Sequence, residues 1–285
     1  MNERITITDI QQIKDKGRRF AAVSCYDYTT ARLAAEAGVE MILVGDSAAQ
    51  VVLGHDSTLP ATMDFMVTIT EAVRRAAPGA CLAADMPFLS YQPSIADAVR
   101  NAGRFIQQAG AQIVKIEIKR SHLDIVKAVS DADIPVMAHL GIRPQSVAKQ
   151  VRLRAEGATA EQAYELITLA EDAVRAGASM VLLEGTARET AAIITQRLAV
   201  PVISCGSGPD CDGQILIIND ILGLSLQPPK FAKAYAQLAG VILSAVKKYA
   251  EQVRAGRFPD DPHSYHIKSE QKALLKKMSA QSGGQ

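Results

Sequence analysis

The chain has 285 residues, of which 48% are hydrophobic, and its 31 basic and 30 acidic residues leave a formal net charge of +1. This near balance excludes a general electrostatic attraction to nucleic acid or to acidic membranes, so small molecules are the expected partners. The length and apolar content suffice for one large core, and we therefore expect a single domain over residues 1–285.

The four cysteines are scattered without the spacing of a zinc site or a disulfide framework. They are Cys25, Cys81, Cys205 and Cys211. We interpret them as free thiols in a reducing cytosol. Residues 1–20 contain no apolar signal-peptide core, and no stretch approaches the roughly 18 apolar residues of a membrane span. The expectation is a soluble, cytoplasmic protein.

Short apolar runs rich in β-forming residues alternate with longer segments of helical periodicity along almost the whole chain. This alternation is typical of parallel sheets built through right-handed crossovers. The predicted strands are 20–24, 40–44, 81–84, 112–116, 135–138, 180–183, 201–204 and 215–218. Eight such strands favour a closed (β/α)8 TIM barrel, an α/β fold, over an open doubly wound sheet.

Helices are predicted between these strands, and a glycine follows several of them, as is common where a helix ends. The predicted helices include 29–37, 64–77, 94–109, 160–176 and 188–198. A further helical pair is predicted within 228–255, and 267–278 is a Lys-rich amphipathic segment. We expect short N-terminal and C-terminal helical additions to the barrel, with 267–285 a tail that frays or packs on a neighbouring subunit.

Acidic residues stand where three successive predicted strands end, and in a TIM barrel those ends form the active site. Asp46 follows the second strand, Asp85 the third and Glu117 the fourth. Any one alone is as readily explained by a helix cap or a loop hydrogen bond. Three hard oxygen donors together would repel one another without a cation, so they indicate a divalent metal site that suits Mg²⁺.

Two basic side chains lie at the same strand ends. Lys115 precedes Glu117 by two residues, so both face the same side of their strand. Lys115 either balances a substrate carboxylate or a developing enolate oxygen, or forms a structural ion pair. His139, at the end of the fifth strand, either donates a hydrogen bond to those oxygens, transfers a proton or satisfies the barrel rim.

Glu184 follows the apolar run of the sixth strand and is the expected general base. Apolar surroundings raise the pKa of a carboxyl group, and a metal near the substrate carbonyl acidifies the adjacent C–H. A salt bridge is the alternative.

The Gly-rich stretch 204–214 matches neither a P-loop nor a dinucleotide fingerprint, so turn geometry is favoured there. Cys211 has no paired His in the pattern and is not favoured as a nucleophile.

Five segments, taken together, carry a family resemblance. They are CYDYTTARLAAEAGVEMILVGDS (25–47), VVLGHDSTLPATMD (51–64), ADMPFLSY (84–91), VMAHLGIRPQSV (136–147) and CDGQILIINDILGL (211–224). In order and spacing they resemble the ketopantoate hydroxymethyltransferase (3-methyl-2-oxobutanoate hydroxymethyltransferase) family from about residue 20 to 255. VVLGHDSTLP and CDGQ are specific motifs.

The resemblance implies an aldol-type step of pantothenate biosynthesis that depends on Mg²⁺. In it, 3-methyl-2-oxobutanoate receives a one-carbon unit from 5,10-methylenetetrahydrofolate through an enolate and becomes 2-dehydropantoate. The implied residue roles are metal ligands Asp46 and Asp85, with Glu117 at the metal or in the shell around it; oxo-acid contacts Ser47, Lys115 and His139; and C3 base Glu184. A barrel of the phosphoenolpyruvate/pyruvate superfamily is also implied, as is a homo-oligomer, commonly a decamer.

Three loops depart from the family pattern. AKQVRLRAEGAT (148–159) replaces a Gly-Gly-Tyr-Lys-Val-Gln-Gly-Arg loop, IEIKR (116–120) replaces Leu-Glu-Gly-Gly, and SCGSG (204–208) replaces Gly-Ile-Gly-Ala-Gly. Such loops vary with specificity in barrel enzymes. Three questions therefore stay open: whether folate is accepted beside 148–159, which oxo acid is the substrate, and which of Mg²⁺, Mn²⁺ and Co²⁺ is preferred.

Two further hypotheses remain at this point. One is a Mg²⁺-dependent C–C lyase or mutase of the same superfamily that acts on another 2-oxo or 2-hydroxy acid. The other is a non-catalytic barrel that mediates assembly. Binding of a divalent metal and transfer of a one-carbon unit distinguish the three hypotheses.

Overall fold

Eight parallel strands form a closed barrel in the computed structural model, which describes residues 4–149, 155–225 and 227–282. The strands are β1 (Phe20–Ser24), β2 (Met41–Val44), β3 (Cys81–Asp85), β4 (Ile113–Glu117), β5 (Val136–Gly141), β6 (Met180–Glu184), β7 (Val202–Cys205) and β8 (Gly213–Ile217). Each strand pairs with the next one, and β8 returns to pair with β1. The predicted (β/α)8 TIM barrel is confirmed.

Helices alternate with these strands. In the described ranges the α-helices are α1 (Ile7–Asp15), α2 (Tyr28–Glu36), α3 (Ala48–Val51), α4 (Met63–Ala76), α5 (Ile95–Gln107), α6 (Leu123–Asp131), α7 (Ala160–Arg175), α8 (Arg188–Arg197), α9 (Ile218–Ile221), α10 (Leu238–Arg254) and α11 (Ser269–Ser282). The helices predicted at 29–37, 64–77, 94–109, 160–176 and 188–198 are confirmed, with ends shifted by one or two residues.

Polar caps begin several of the helices that surround the barrel. At each cap a side-chain oxygen accepts a hydrogen bond from a backbone N–H of the first turn. The capping residues are Asp27, Thr62, Ser94 and Thr159. In α5, the buried residues Ala98, Ala102 and Phe105 recur on one face of the helix. This face packs in the core layer between helices and strands.

A second core layer fills the barrel interior, where Met41, Ile113, Met137 and Ile203 are fully buried. Ile10 of α1 belongs to the same cluster. The helix is held under the barrel because Lys14 forms an ion pair of 2.8 Å with Asp212, in the loop that precedes β8. Helix α1 therefore closes the end of the barrel at which the strands begin.

The helical pair predicted within 228–255 is wrong, because the structure has one helix there, α10. Residues 227–237 form turns and irregular chain instead. Pro228 and Pro229 lie in this segment. A proline has no backbone N–H to donate, and it disfavours helical conformation in the residue before it. Apolar periodicity alone was therefore a poor guide to this segment.

The chain divides by contacts into two compact units, Met1–Ala236 and Gln237–Gln285. The first unit contains all eight strands, and the second contains α10 and α11. The single domain over 1–285 and the role of 267–285 as a tail stay predictions. In the described ranges no helix is both long and apolar enough to cross a membrane.

Candidate active site

Two buried aspartates lie side by side at the end of the barrel where the strands finish. Asp85 is the last residue of β3, and Asp46 follows β2 after one glycine. The backbone N–H of Asp46 donates a hydrogen bond of 3.1 Å to Asp85 Oδ2. The side chains of both residues are almost fully buried. Burial and the neighbouring Asp85 raise the pKa of Asp46 well above its ordinary value.

Lys115 is the cation of this cluster. It lies opposite Asp85 in the β3–β4 register, and its Nζ is 2.8 Å from Asp85 Oδ1. Burial by itself would lower the pKa of Lys115, but Asp85, Asp46 and Glu117 raise it overall. Lys115 is therefore held as a charged ammonium group, and the ion pair that sequence analysis left open is present.

His139 continues the chain of polar contacts from Lys115. Its Nδ1 is 3.1 Å from Lys115 Nζ, and its Nε2 is 3.4 Å from Glu184 Oε2. Burial, followed by the charge of Lys115, lowers the pKa of His139. The ammonium group of Lys115 can only donate hydrogen bonds, so Nδ1 of His139 must be the acceptor. The neutral ring therefore carries its hydrogen on Nε2. Nε2 is buried without a hydrogen bond of good geometry, although Glu184 Oε2 is its near neighbour.

Glu184 ends β6 and is less enclosed than the other carboxylates, with 21% of its side chain exposed. Its backbone position depends on Gly141, the last residue of β5. Gly141 has φ of 87°, and a Cβ added there would lie 2.2 Å from the backbone oxygen of Glu184. Glycine is thus required for β5 and β6 to approach closely where the predicted base stands.

Ser47 follows Asp46, and its Oγ is 2.7 Å from the hydroxyl group of Tyr26. Tyr26 lies just after β1 and is buried. Tyr26 was not among the predicted site residues, although it stands at a strand end within the CYDYTT segment. Its position there was the available signal.

Gln145 is the second residue that sequence analysis missed. It lies in a 3₁₀ turn, Pro144–Lys149, that follows β5. Its side-chain amide donates to Asp46 Oδ2 at 2.9 Å, and its backbone N–H faces both carboxylate oxygens of Glu117 at 3.2 Å. The sequence contained only a weak signal, the position of this glutamine shortly after a strand.

One cavity of about 340 Å³ unites six of the seven predicted site residues. These six are Asp46, Ser47, Asp85, Lys115, His139 and Glu184. Residues 229–231, which follow β8 and α9, form another part of its wall. Glu117 stands behind this lining, where its Oε1 is 3.9 Å from His139 Nδ1. Burial, partly offset by Lys115, raises the pKa of Glu117 well above its usual value.

The charges of the cluster fit a divalent cation in part. Three buried acidic side chains, Asp46, Asp85 and Glu117, share one basic side chain, so a bound cation would favour their ionised forms. Asp46 and Asp85 provide hard oxygen donors at the cavity, and Mg²⁺ usually takes one or two carboxylates and completes its shell with water and substrate. Within 4–149, 155–225 and 227–282, no three His, Cys, Asp or Glu side chains are placed to hold a metal together.

The Gly-rich stretch 204–214 is held by its own serines. Ser207 N–H donates to Ser204 Oγ at 2.9 Å, and Ser207 Oγ donates to the backbone oxygen of Leu183 at 2.8 Å. These contacts agree with turn geometry.

All four cysteines are free, as predicted, and burial raises the pKa of Cys211. The departing loop 148–159 lies partly outside the described residues, since 150–154 are not among them.

A family profile with the description Ketopantoate hydroxymethyltransferase matches residues 4–261. The chain belongs to this family. A 3-methyl-2-oxobutanoate hydroxymethyltransferase of Pelobacter propionicus is 48% identical over 267 residues, which cover 93% of this chain and 99% of that one. One of Hyperthermus butylicus is also 48% identical, over 282 residues that cover 99% and 98%. The chain is therefore an enzyme, a hydroxymethyltransferase.

Solved structures show the same fold at low identity. A 2,3-dimethylmalate lyase of the PEP mutase/isocitrate lyase superfamily aligns with a TM-score of 0.59 at 20% identity, over 98% of this chain and 99% of that one. A phosphonopyruvate hydrolase complex with oxalate and Mg²⁺ aligns with a TM-score of 0.60 at 14% identity, over 97% of each. These likenesses agree with the closed barrel fold of this chain.

Proposed function

We propose that this enzyme transfers a hydroxymethyl group from 5,10-methylenetetrahydrofolate to 3-methyl-2-oxobutanoate and forms 2-dehydropantoate, a step of pantothenate biosynthesis. One observation carries the proposal. A buried, charged cluster and a more accessible carboxylate, Glu184, face each other across a single cavity. Enolate chemistry on a small oxo acid requires this pair of environments, one for developing negative charge and one for proton removal.

The charged cluster binds the oxygen atoms of the oxo acid. The ammonium group of Lys115 and the hydroxyl of Ser47 supply positive charge and a hydrogen bond at the cavity wall. Asp46 and Asp85 would hold the metal, with Glu117 behind them. A bound Mg²⁺ would add positive charge that stabilises an enolate oxygen.

Glu184 removes the proton from C3 of the oxo acid. Its Oε2 lies 3.4 Å from His139 Nε2, so the ring stands beside the carboxylate that would accept the C3 proton. The C3–H bond is replaced by a bond from C3 to the one-carbon unit. One water molecule is consumed and tetrahydrofolate leaves, so atoms and charge balance.

The fold likeness to a hydrolase solved with oxalate and Mg²⁺ agrees with a metal-assisted oxo-acid site in this chain as well. Assembly as a homo-oligomer, with a decamer as the implied form, and a cytoplasmic location stay predictions.

Deuterium exchange at C3 of 3-methyl-2-oxobutanoate tests the proposal. The enzyme is incubated in deuterium oxide with Mg²⁺, with and without 5,10-methylenetetrahydrofolate, and followed by NMR. We expect exchange in both cases and hydroxymethylated product only with folate. Exchange without product would indicate that another compound donates the one-carbon unit. Release of a cleaved fragment from a 2-hydroxy diacid, without folate, would instead support a lyase.

Glu184→Gln should reduce the exchange rate by roughly 10²–10⁴-fold, because the amide has no basic oxygen to accept the proton. Glu189→Gln is the matched control, since Glu189 is exposed in the first turn of α8. Normal exchange in Glu184→Gln would show that another group is the base.

A further inference from the structure

Gln145 contacts two of the three candidate metal carboxylates at once. Its side-chain Nε2 donates to Asp46 Oδ2 at 2.9 Å and to the backbone oxygen of Met86 at 2.9 Å. Its backbone N–H lies 3.2 Å from each oxygen of Glu117. Gln145 is only 4% exposed, so water does not compete effectively for these contacts.

The orientation of the Gln145 amide is determined by its neighbours. Asp46 Oδ2 and the backbone oxygen of Met86 are both acceptors, so the NH₂ end must face them. At the other end, Gln145 Oε1 is 2.9 Å from the hydroxyl group of Tyr91. A reversed amide would place its oxygen against a carboxylate. The side chain is therefore fixed in one orientation, with its donors on Asp46.

We propose that Gln145 is a positioning residue for the metal site: it fixes one oxygen of Asp46 and leaves the other free to bind the cation. This inference rests on the proposed metal dependence of the reaction. A carboxylate that turns freely must lose that freedom when it binds a metal, whereas one already held by a hydrogen bond does not. The contact therefore favours metal binding without touching the metal.

The same residue connects the metal site to the β5–α7 segment. The Gln145 backbone N–H is bound to Glu117 while its side chain is bound to Asp46, so the turn Pro144–Lys149 cannot shift without disturbing both carboxylates. The end of that turn overlaps the stretch 148–159, where the sequence departs from the family pattern.

The test measures Mn²⁺ affinity by EPR of the free ion, together with thermal unfolding of the metal-free protein. Gln145→Met preserves the length of the side chain and removes its donors. We expect its Mn²⁺ dissociation constant to rise by roughly 10–100-fold, which is typical of losing a partner of a metal ligand. Gln92→Met is the matched control, because Gln92 is a neighbouring glutamine with two long contacts of 3.4 Å, one to Gln145 Oε1 and one from the backbone N–H of Tyr91, and neither reaches a carboxylate. The control should bind Mn²⁺ within about twofold of the native enzyme.

Gln145→Asn provides a second variant in case Gln145→Met does not fold. Its amide is one methylene too short to reach Asp46, so Mn²⁺ affinity should again fall while the backbone contact with Glu117 is preserved. If the native enzyme binds Mn²⁺ and a folded Gln145 variant binds it equally well, the role of Gln145 is refuted and the proposed function stands. If the native enzyme binds no Mn²⁺, both are refuted.

Discussion

The two halves of the barrel mouth differ in how deeply their charged side chains are buried. On the half formed by the ends of β2–β5, here called the charged half, Asp85, Lys115 and His139 are buried and in mutual contact. On the half formed by the ends of β6–β8 and β1, here called the open half, Glu184 is partly exposed. Its neighbours across the cavity include the apolar side chains of Ile215 and Ile217.

This difference separates two tasks of one reaction. The polar groups of the charged half are buried and already in contact with one another, which suits the stabilisation of negative charge on oxygen. The open half offers a base beside apolar carbon, which suits proton removal and attack by C3. Changes in the charged half should therefore affect stability and turnover together. Changes in the open half should affect mainly turnover and accessibility.

The largest effect is expected for Lys115→Met, which leaves Asp85 buried without its cation. Loss of one member of a buried pair should lower the free energy of unfolding by about 3–5 kcal/mol. The value of kcat/KM should fall by roughly 10²–10³-fold, because a charge at the developing oxyanion is lost. Denaturant titration and steady-state kinetics measure the two changes.

Lys127→Met is the control for this variant, since Lys127 pairs with Asp131 on the exposed face of α6. Its cost should be about 0.5 kcal/mol. Equal effects of the two substitutions would contradict the special role of the charged half.

Gly141→Ala should give the next largest effect, because Gly141 joins the two halves. The added Cβ would lie 2.2 Å from the backbone oxygen of Glu184, at a backbone conformation with positive φ. We expect a loss of about 3 kcal/mol in unfolding free energy and a fall in kcat larger than any rise in KM, since the base is displaced.

Gly17→Ala is matched to it, because Gly17 has φ of 63° and nothing within 4 Å of the added Cβ. It should cost only about 1–2 kcal/mol and leave kcat unchanged. A normal kcat in Gly141→Ala would show that the base tolerates movement of its strand.

The smallest effect concerns the thiol of Cys205, on the open half. Burial and the nearby Glu184 raise the pKa of Cys205 well above its usual value, so little thiolate exists at pH 8. Iodoacetamide should therefore alkylate it at least about tenfold more slowly than a free thiol, and the rate should rise with pH. Mass spectrometry of the native enzyme measures this. Glu184→Gln should speed the reaction, and unchanged reactivity would show that Glu184 does not raise the pKa of Cys205.

The positions of the catalytic candidates were predictable because they follow from two local signals. Strands are short apolar runs, and a polar residue directly after such a run lies at the barrel mouth. Asp85, Glu117 and Glu184 satisfy both conditions. The fold followed from the same alternation of runs.

Gln145 and Tyr26 were harder to predict, because both lie beyond the strands in connecting segments. The direction of such a side chain depends on contacts made across the barrel. Gln145 meets Asp46, which is 99 residues away in the chain. No local pattern in the sequence encodes that meeting. The prediction of a helix in 227–237 was wrong for a different reason, because two prolines disfavour a helix there despite the apolar periodicity.

Helix α1 has a consequence for the order of events during turnover. Because Ile10 and its neighbours seal the lower end of the barrel, molecules reach the cavity from the side where the strands finish. Entry and exit then share one passage. The molecule that occupies the deeper part of the cavity must enter before the bulkier molecule and leave after it. The enzyme should therefore follow an ordered kinetic sequence in which the bulkier substrate binds last and the bulkier product leaves first.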